Sequence, residues 1–243
     1  MNLESNRTVG ELALQIPGAT RVFEKVGIDY CCGGNNSLES ACAKAGVTVQ
    51  DVRNSLELAK ASGIQTYEPN FVARTLADLI GHIVESHHVF TKSEIQRLRL
   101  LIDKVFAAHG QNHPELGTLR ALFETLRSEL EPHMMKEERI LFPYVLGMED
   151  GIHKGRPVWP PPFGKVANPV RMMMLEHDNA GQLLKEMREL TSDYTVPSDA
   201  CISYDTLYHA LDAFEKDLHQ HIHLENNILF PRAMEMEEKL RGN

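Results

Sequence analysis

His133-Met134-Met135-Lys136-Glu137-Glu138-Arg139-Ile140-Leu141-Phe142-Pro143 and His221-Ile222-His223-Leu224-Glu225-Asn226-Asn227-Ile228-Leu229-Phe230-Pro231 are two copies of one pattern, H-x-x-x-E-x-x-I-L-F-P. Histidine, glutamate and proline each recur 88 positions later (133 to 221, 137 to 225, 143 to 231). Solenoid repeats are about 20–50 residues long, so this period fits a duplicated helix pair instead. Residues i and i+4 lie on one helix face, a turn apart. Each copy therefore presents an imidazole and a carboxylate in the same direction, with the following Ile-Leu-Phe placed to seal them from water.

A duplicated pair needs duplicated first members. The only histidine in the third helical stretch is His177, and stepping back 88 positions lands on 89. The first stretch offers His82, His87 and His88, of which His88 is nearest, with His87 its main rival. The internal spacings agree: His88 to His133 is 45 positions and His177 to His221 is 44. The expected metal ligands are His88, His133, Glu137, His177, His221 and Glu225. Four imidazoles and two carboxylates can serve two ions, the carboxylates bridging and each ion taking two histidines. One His/Glu pair at this spacing is common on a solvated helix face. Two in register, each in an apolar setting, are not accounted for by surface charge. A buried glutamate without a cation would also cost several kcal/mol or more.

Around the motifs the chain reads as long amphipathic helices, Phe71–Ala108, Pro114–Gly147, Pro169–Thr191 and Asp205–Leu240, with a Pro- and Gly-rich loop over Asp150–Asn168. No alternating strand pattern appears. The expected fold is all-α, a four-helix bundle over 71–243 preceded by a small helical domain over 1–62. Ala61–Pro69, with Ser62-Gly63 and a proline, reads as the connection, and 63–70 is taken as the linker. A nine-residue flexible segment spans about 15–18 Å. That lets the small domain dock on its own bundle or on a second subunit of a homodimer.

The 243 residues carry a net charge of −9, which argues against nucleic acid or an anionic membrane as partner. No run approaches the roughly 18 apolar residues of a membrane helix, and the N-terminus has no secretory pattern. Four cysteines are too few for a disulfide-built secreted domain, so the cytoplasm is the expected compartment. The donor set is poor in carboxylates for calcium or magnesium and lacks the thiolates of structural zinc. Imidazole with carboxylate suits iron, manganese or zinc.

A second motif is Gly27-Ile28-Asp29-Tyr30-Cys31-Cys32-Gly33-Gly34. Adjacent cysteines form only a strained disulfide. Flanking glycines free the backbone and keep the thiols accessible, so Cys31 and Cys32 read as a reactive dithiol. The bland alternative is a pair of small apolar fillers. Cys42 and Cys201 have no motif around them and read as structural.

The segment from about Phe71 to Arg232 resembles the hemerythrin-like bundle, which implies an oxo- or hydroxo-bridged di-iron centre, two iron ions per chain. Oxygen carriers of that fold have a fifth histidine four residues after the one on the third helix. Here Gly181 stands at that place, which leaves more open coordination positions and weakens simple oxygen storage. Gly10-Glu11-Leu12-Ala13-Leu14-Gln15-Ile16-Pro17 and Asp29 to Gly34 are similar to the ScdA-type N-terminal domain of the repair-of-iron-centres proteins. The resemblance covers nearly the whole chain. It implies a stress-induced cytoplasmic protein that restores iron–sulfur clusters damaged by nitric oxide or peroxide, supplying iron to its client proteins. Two other readings stay open: a di-iron enzyme reducing nitric oxide, and a module that binds or senses oxygen or nitric oxide.

Overall fold

The computed structural model describes residues 7–61 and 71–241. The expected linker at 63–70 falls wholly outside them. Four short helices form the N-terminal part. Thr8 caps α1 (Val9–Gln15) reciprocally: its hydroxyl accepts the Glu11 N–H, and the Glu11 carboxylate accepts the Thr8 N–H. α2 (Ala19–Val26) lies between two left-handed glycines, Gly18 and Gly27. α3 (Leu38–Ala45) is capped by Ser37, and α4 (Val49–Ala61) follows. Their apolar faces meet in a small core that includes Leu12, Phe23, Tyr30, Leu38, Val52 and Leu56. The loop holding the paired cysteines is tied back to the start of α1. The Gly10 N–H donates to the Gly34 carbonyl at 2.9 Å and the Val9 N–H to Asn36 at 3.0 Å.

The rest is a bundle of four long helical rods. The first joins α5 (Leu76–His82), a π-helical turn (Ile83–His88) and α6 (Val89–His109). The second joins α7 (Glu115–Lys136), a π turn (Glu137–Leu141) and α8 (Phe142–Lys154). The third is α9 (Ala167–Leu190). The fourth joins α10 (Ile202–Leu224), a π turn (Glu225–Leu229) and α11 (Phe230–Arg241). α7 packs on α6 and α9, and α6 packs on α10.

Two helix ends differ most from the sequence reading. The first rod starts at Leu76, because Thr75 caps it and Glu149 accepts the Leu76 and Ala77 N–H groups, each at 2.8 Å. The second rod does not stop at Gly147. A glycine within a helix costs only about 1 kcal/mol, and burial of Val145 and Met148 outweighs it. The rod closes at Gly155, whose φ of 60° is left-handed.

The π turns have a local cause in the second and fourth rods. Pro143 and Pro231 have no N–H, and a proline ring crowds the carbonyl four residues back. The preceding turn widens: the Phe142 N–H donates to the Glu137 carbonyl and the Phe230 N–H to Glu225, each five residues back. Such single π turns gather at functional sites. Here the proline of each I-L-F-P sits six residues beyond the motif glutamate.

Two apolar clusters fill the bundle. One contains Leu98, Ile102, Phe123, Leu126, Leu184 and Phe214; the other contains Leu79, Phe142, Met148, Val170, Met173 and Phe230. The motif residues lie where the two clusters meet, so the bundle holds a polar layer within an apolar core.

Candidate metal centre

The six residues singled out by the repeat come together in that layer. All are buried, and Glu137 and Glu225 are wholly so. The Nε2 atoms of His88 and His221 stand 3.1 Å apart, as do those of His133 and His177. Between the two imidazole pairs stand the two carboxylates. Glu137 Oε2 lies 3.5 Å from His88 Nε2 and 3.4 Å from His133 Nε2. Glu225 spans the same gap with both oxygens, Oε1 at 3.1 Å from His221 and Oε2 at 3.1 Å from His177.

Two four-residue groups result, His88–Glu137–His221–Glu225 and His133–Glu137–His177–Glu225. Each keeps its donor atoms within 4.8 Å of one another and could hold a metal ion. The glutamates belong to both groups.

A cation fits this donor set. None of the four carboxylate oxygens is in hydrogen-bonding alignment with any described group. An ionised, uncompensated carboxylate in an apolar core costs several kcal/mol. Burial and the neighbouring Glu225 oppose the charge on Glu137, but His133 and His88 prevail and hold its carboxyl below the usual range. Glu225 is held well below it, because His221 and His177 outweigh burial. Burial also disfavours the cation of His133, yet the two carboxylates lift it to about 9. His221 is lowered by burial.

Three of the four imidazoles are anchored from outside. His88 Nδ1 meets Glu138 at 2.7 Å, His133 Nδ1 meets Glu176 at 2.8 Å and His177 Nδ1 meets the Asn226 oxygen at 2.9 Å. A partner at Nδ1 fixes the proton there and turns the Nε2 lone pair inward. Lys92 and Lys136 in turn hold Glu138 and Glu176. The sequence reading missed these anchors. The available signal was position, since Glu138 and Asn226 directly follow the motif glutamates and Glu176 directly precedes His177. His87 is buried beside the group but outside it, its Nδ1 3.0 Å from Asp217.

A model of the hemerythrin HHE cation binding domain matches residues 79–233, and one of the ScdA N-terminal domain, a domain of unknown function, matches 5–60. A probable iron-sulfur cluster repair protein of Haemophilus influenzae is 34% identical over 230 residues, 95% of this chain and 97% of that one. The iron-sulfur cluster repair proteins YtfE of Musicola paradisiaca and Escherichia coli are 37% and 35% identical, each over 229 residues. These alignments cover 94% of this chain and 96% and 97% of theirs. The chain belongs to the YtfE family of iron-sulfur cluster repair proteins. Its hemerythrin domain is a cation-binding one, and the buried His/Glu groups could hold a metal ion.

In this family member the dithiol faces the bundle rather than open solvent. Cys31 is buried and Cys32 half-buried, their sulfurs 4.0 Å apart and unbonded. Asp29 Oδ1 lies 3.3 Å from Cys31 Sγ and accepts the Cys31 N–H at 3.1 Å. The contact with Cys32, burial and Asp29 together push the Cys31 thiol well above its ordinary value. Asp29, Cys31 and Cys32 form a further small group able to hold a metal ion. Asn227, just past the fourth-rod motif, donates to the Tyr30 carbonyl at 3.3 Å and the Cys31 carbonyl at 3.4 Å. At Gly34 a Cβ would come within 2.5 Å of Asn227 Oδ1 and 3.0 Å of the Tyr30 carbonyl oxygen, so any side chain there would push Asn227 away. At Gly181 a Cβ would sit 3.5 Å from Cys32 Sγ, so a longer side chain would compete with the thiol for that space. Of the other cysteines, Cys42 is buried as expected, whereas Cys201 is exposed at the head of α10. No helix among the described residues is long and apolar enough to cross a membrane.

Proposed function

We propose that the chain holds two iron ions, bridged by Glu137 and Glu225. His88 and His221 would serve one position and His133 and His177 the other. Its function in this reading is to repair iron–sulfur clusters damaged by nitrosative or oxidative stress, by supplying iron to the damaged protein. The carrying observation is that each carboxylate reaches both imidazole pairs, in a chain about 35% identical to named cluster repair proteins along nearly its whole length.

Iron is here the cargo, and the side chains have separable tasks. The imidazoles and carboxylates hold it, the apolar layers exclude water, and the anchors set how firmly it stays. Cys31 and Cys32, next to the His177 turn and carrying no part of the ligand set, are the residues that meet the damaged protein. The working division is a small domain over 1–62, a linker over 63–70 and the bundle over 71–243, with action in the cytoplasm.

Reduction of nitric oxide at the same centre is the second reading. It is favoured by the small donor count, two imidazoles and two shared carboxylates per position, which leaves room for a small ligand. The test is to add iron-loaded protein to a cluster enzyme inactivated by nitric oxide. Stoichiometric reactivation with matching loss of iron supports the donor. Repeated nitric oxide consumption with both irons retained supports the enzyme.

A further inference from the structure

The two halves of the centre match residue for residue, except at one place. Glu138 anchors His88, and Asn226, 88 positions on, anchors His177. Glu176, the residue before His177, anchors His133. The corresponding residue before His88 is His87, and it should anchor His221. It does not. His221 Nδ1 is buried with no hydrogen-bond partner, and the His87 ring lies parallel to the His221 ring, 11° between planes and 5.8 Å between centroids. His87 spends its Nδ1 on Asp217, one helical turn before His221 on the same rod. Asp217 Oδ2 is itself buried and unpartnered. Beyond His87 the half-buried His82 ring meets it edge-on at 5.3 Å and packs, tilted by 30°, on Phe71 at 4.6 Å. A line of imidazoles therefore leads from one metal position toward the surface. On the other side the corresponding place is closed by a carboxylate and a lysine.

We propose that His87, held by Asp217, is the exit ligand through which iron leaves the His88–His221 position. This rests on the iron-donor reading and specifies which ion is donated. An unanchored imidazole is a poorer ligand, since loss of such a partner weakens metal binding about 10–100-fold. In its neutral form with the Nδ1 proton on the Asp217 side, His87 has a free Nε2 lone pair. The transfer is a ligand exchange. The bond from iron to His221 Nε2 breaks as one to His87 Nε2 forms. No electron changes hands, and the His87 proton stays in its bond to Asp217.

The test is release of ferrous iron from the loaded full-length chain to an excess of a colour-forming ferrous chelator. The wild type should release its two ions in two phases. H87F removes the exit ligand while keeping a ring, and H87E supplies the anchor that Glu176 gives His133. Each should slow the fast phase about tenfold and leave the slow one unchanged. E176H gives His133 the same neighbour and should speed the slow phase by a similar factor. One phase in the wild type, or a fast phase unchanged or accelerated in both His87 variants, overturns the proposal. Because release to a chelator needs no client protein, failure of cluster repair with these phases intact would reject the donor reading alone.

Discussion

The thiol of Cys32 lies 3.5 Å from the carbonyl oxygen of His177. A residue of the N-terminal loop thus touches the very turn that carries a candidate ligand, 145 positions away in sequence. The dithiol is at the wall of the metal layer without entering it. Replacing Cys31 and Cys32 together by Ser should leave iron content and the optical spectrum nearly intact while cutting cluster repair. Loss of iron would make the thiols ligands or folding elements, and full repair would make them fillers.

That contact depends on a close approach between the two parts. Gly34→Ala forces a Cβ against Asn227, an overpacking of about 1–3 kcal/mol. Asn227→Ala removes the donor to the Tyr30 and Cys31 carbonyls, a loss of about 1 kcal/mol or more. Both should separate thermal unfolding into two transitions, one for each part, with iron content of the bundle preserved. A single unshifted transition would show that this contact does not couple them.

The bridging arrangement predicts a shared penalty. Glu137→Gln or Glu225→Gln removes negative charge from between two cations, so either change should affect both positions. Iron stoichiometry should fall below two per chain, or the magnetic coupling between the ions should weaken. Coupling unchanged in both variants would mean that neither carboxylate bridges.

Cys201 offers a reactivity test away from the metal layer. A hydrogen bond from His109 and then the N–H groups at the start of α10 lower its thiol to about 7, so its thiolate predominates above that pH. Alkylation of Cys201 should be half-maximal near pH 7 and move to higher pH in His109→Gln. Cys31, pushed the other way, should react only in alkaline solution. Equal pH profiles for the two thiols would contradict this assignment of environments.

The fold was legible because the 88-residue period carries both geometry and chemistry. His88 was separable from His87 by register alone, since a helix turn is short enough that one residue changes the direction of a side chain. The outer anchors were not legible. Glu138, Glu176 and Asn226 act across rods, and which exposed-looking polar residue meets which imidazole depends on rod rotation that local sequence does not state. The π turns escaped for a related reason: the Ile-Leu-Phe of each motif reads as a seal, and the proline after it, lacking an N–H, also rewinds the turn before it. The burial of Cys31 was hidden as well. Glycine-rich flanks suggest openness, but here they permit close approach to Asn227. The exposure of Cys201 depends on where α10 begins, not on its neighbours in sequence.

In the iron-donor reading, this chain gives up iron to a damaged cluster. The most direct measurement loads the full-length protein with isotopically labelled iron and mixes it, without free iron, with a cluster enzyme damaged by nitric oxide. The client is then re-isolated. Label should appear in the rebuilt cluster in proportion to regained activity, while the donor loses the same amount. Reactivation with an unlabelled cluster, or a donor that keeps its full iron load, would contradict it.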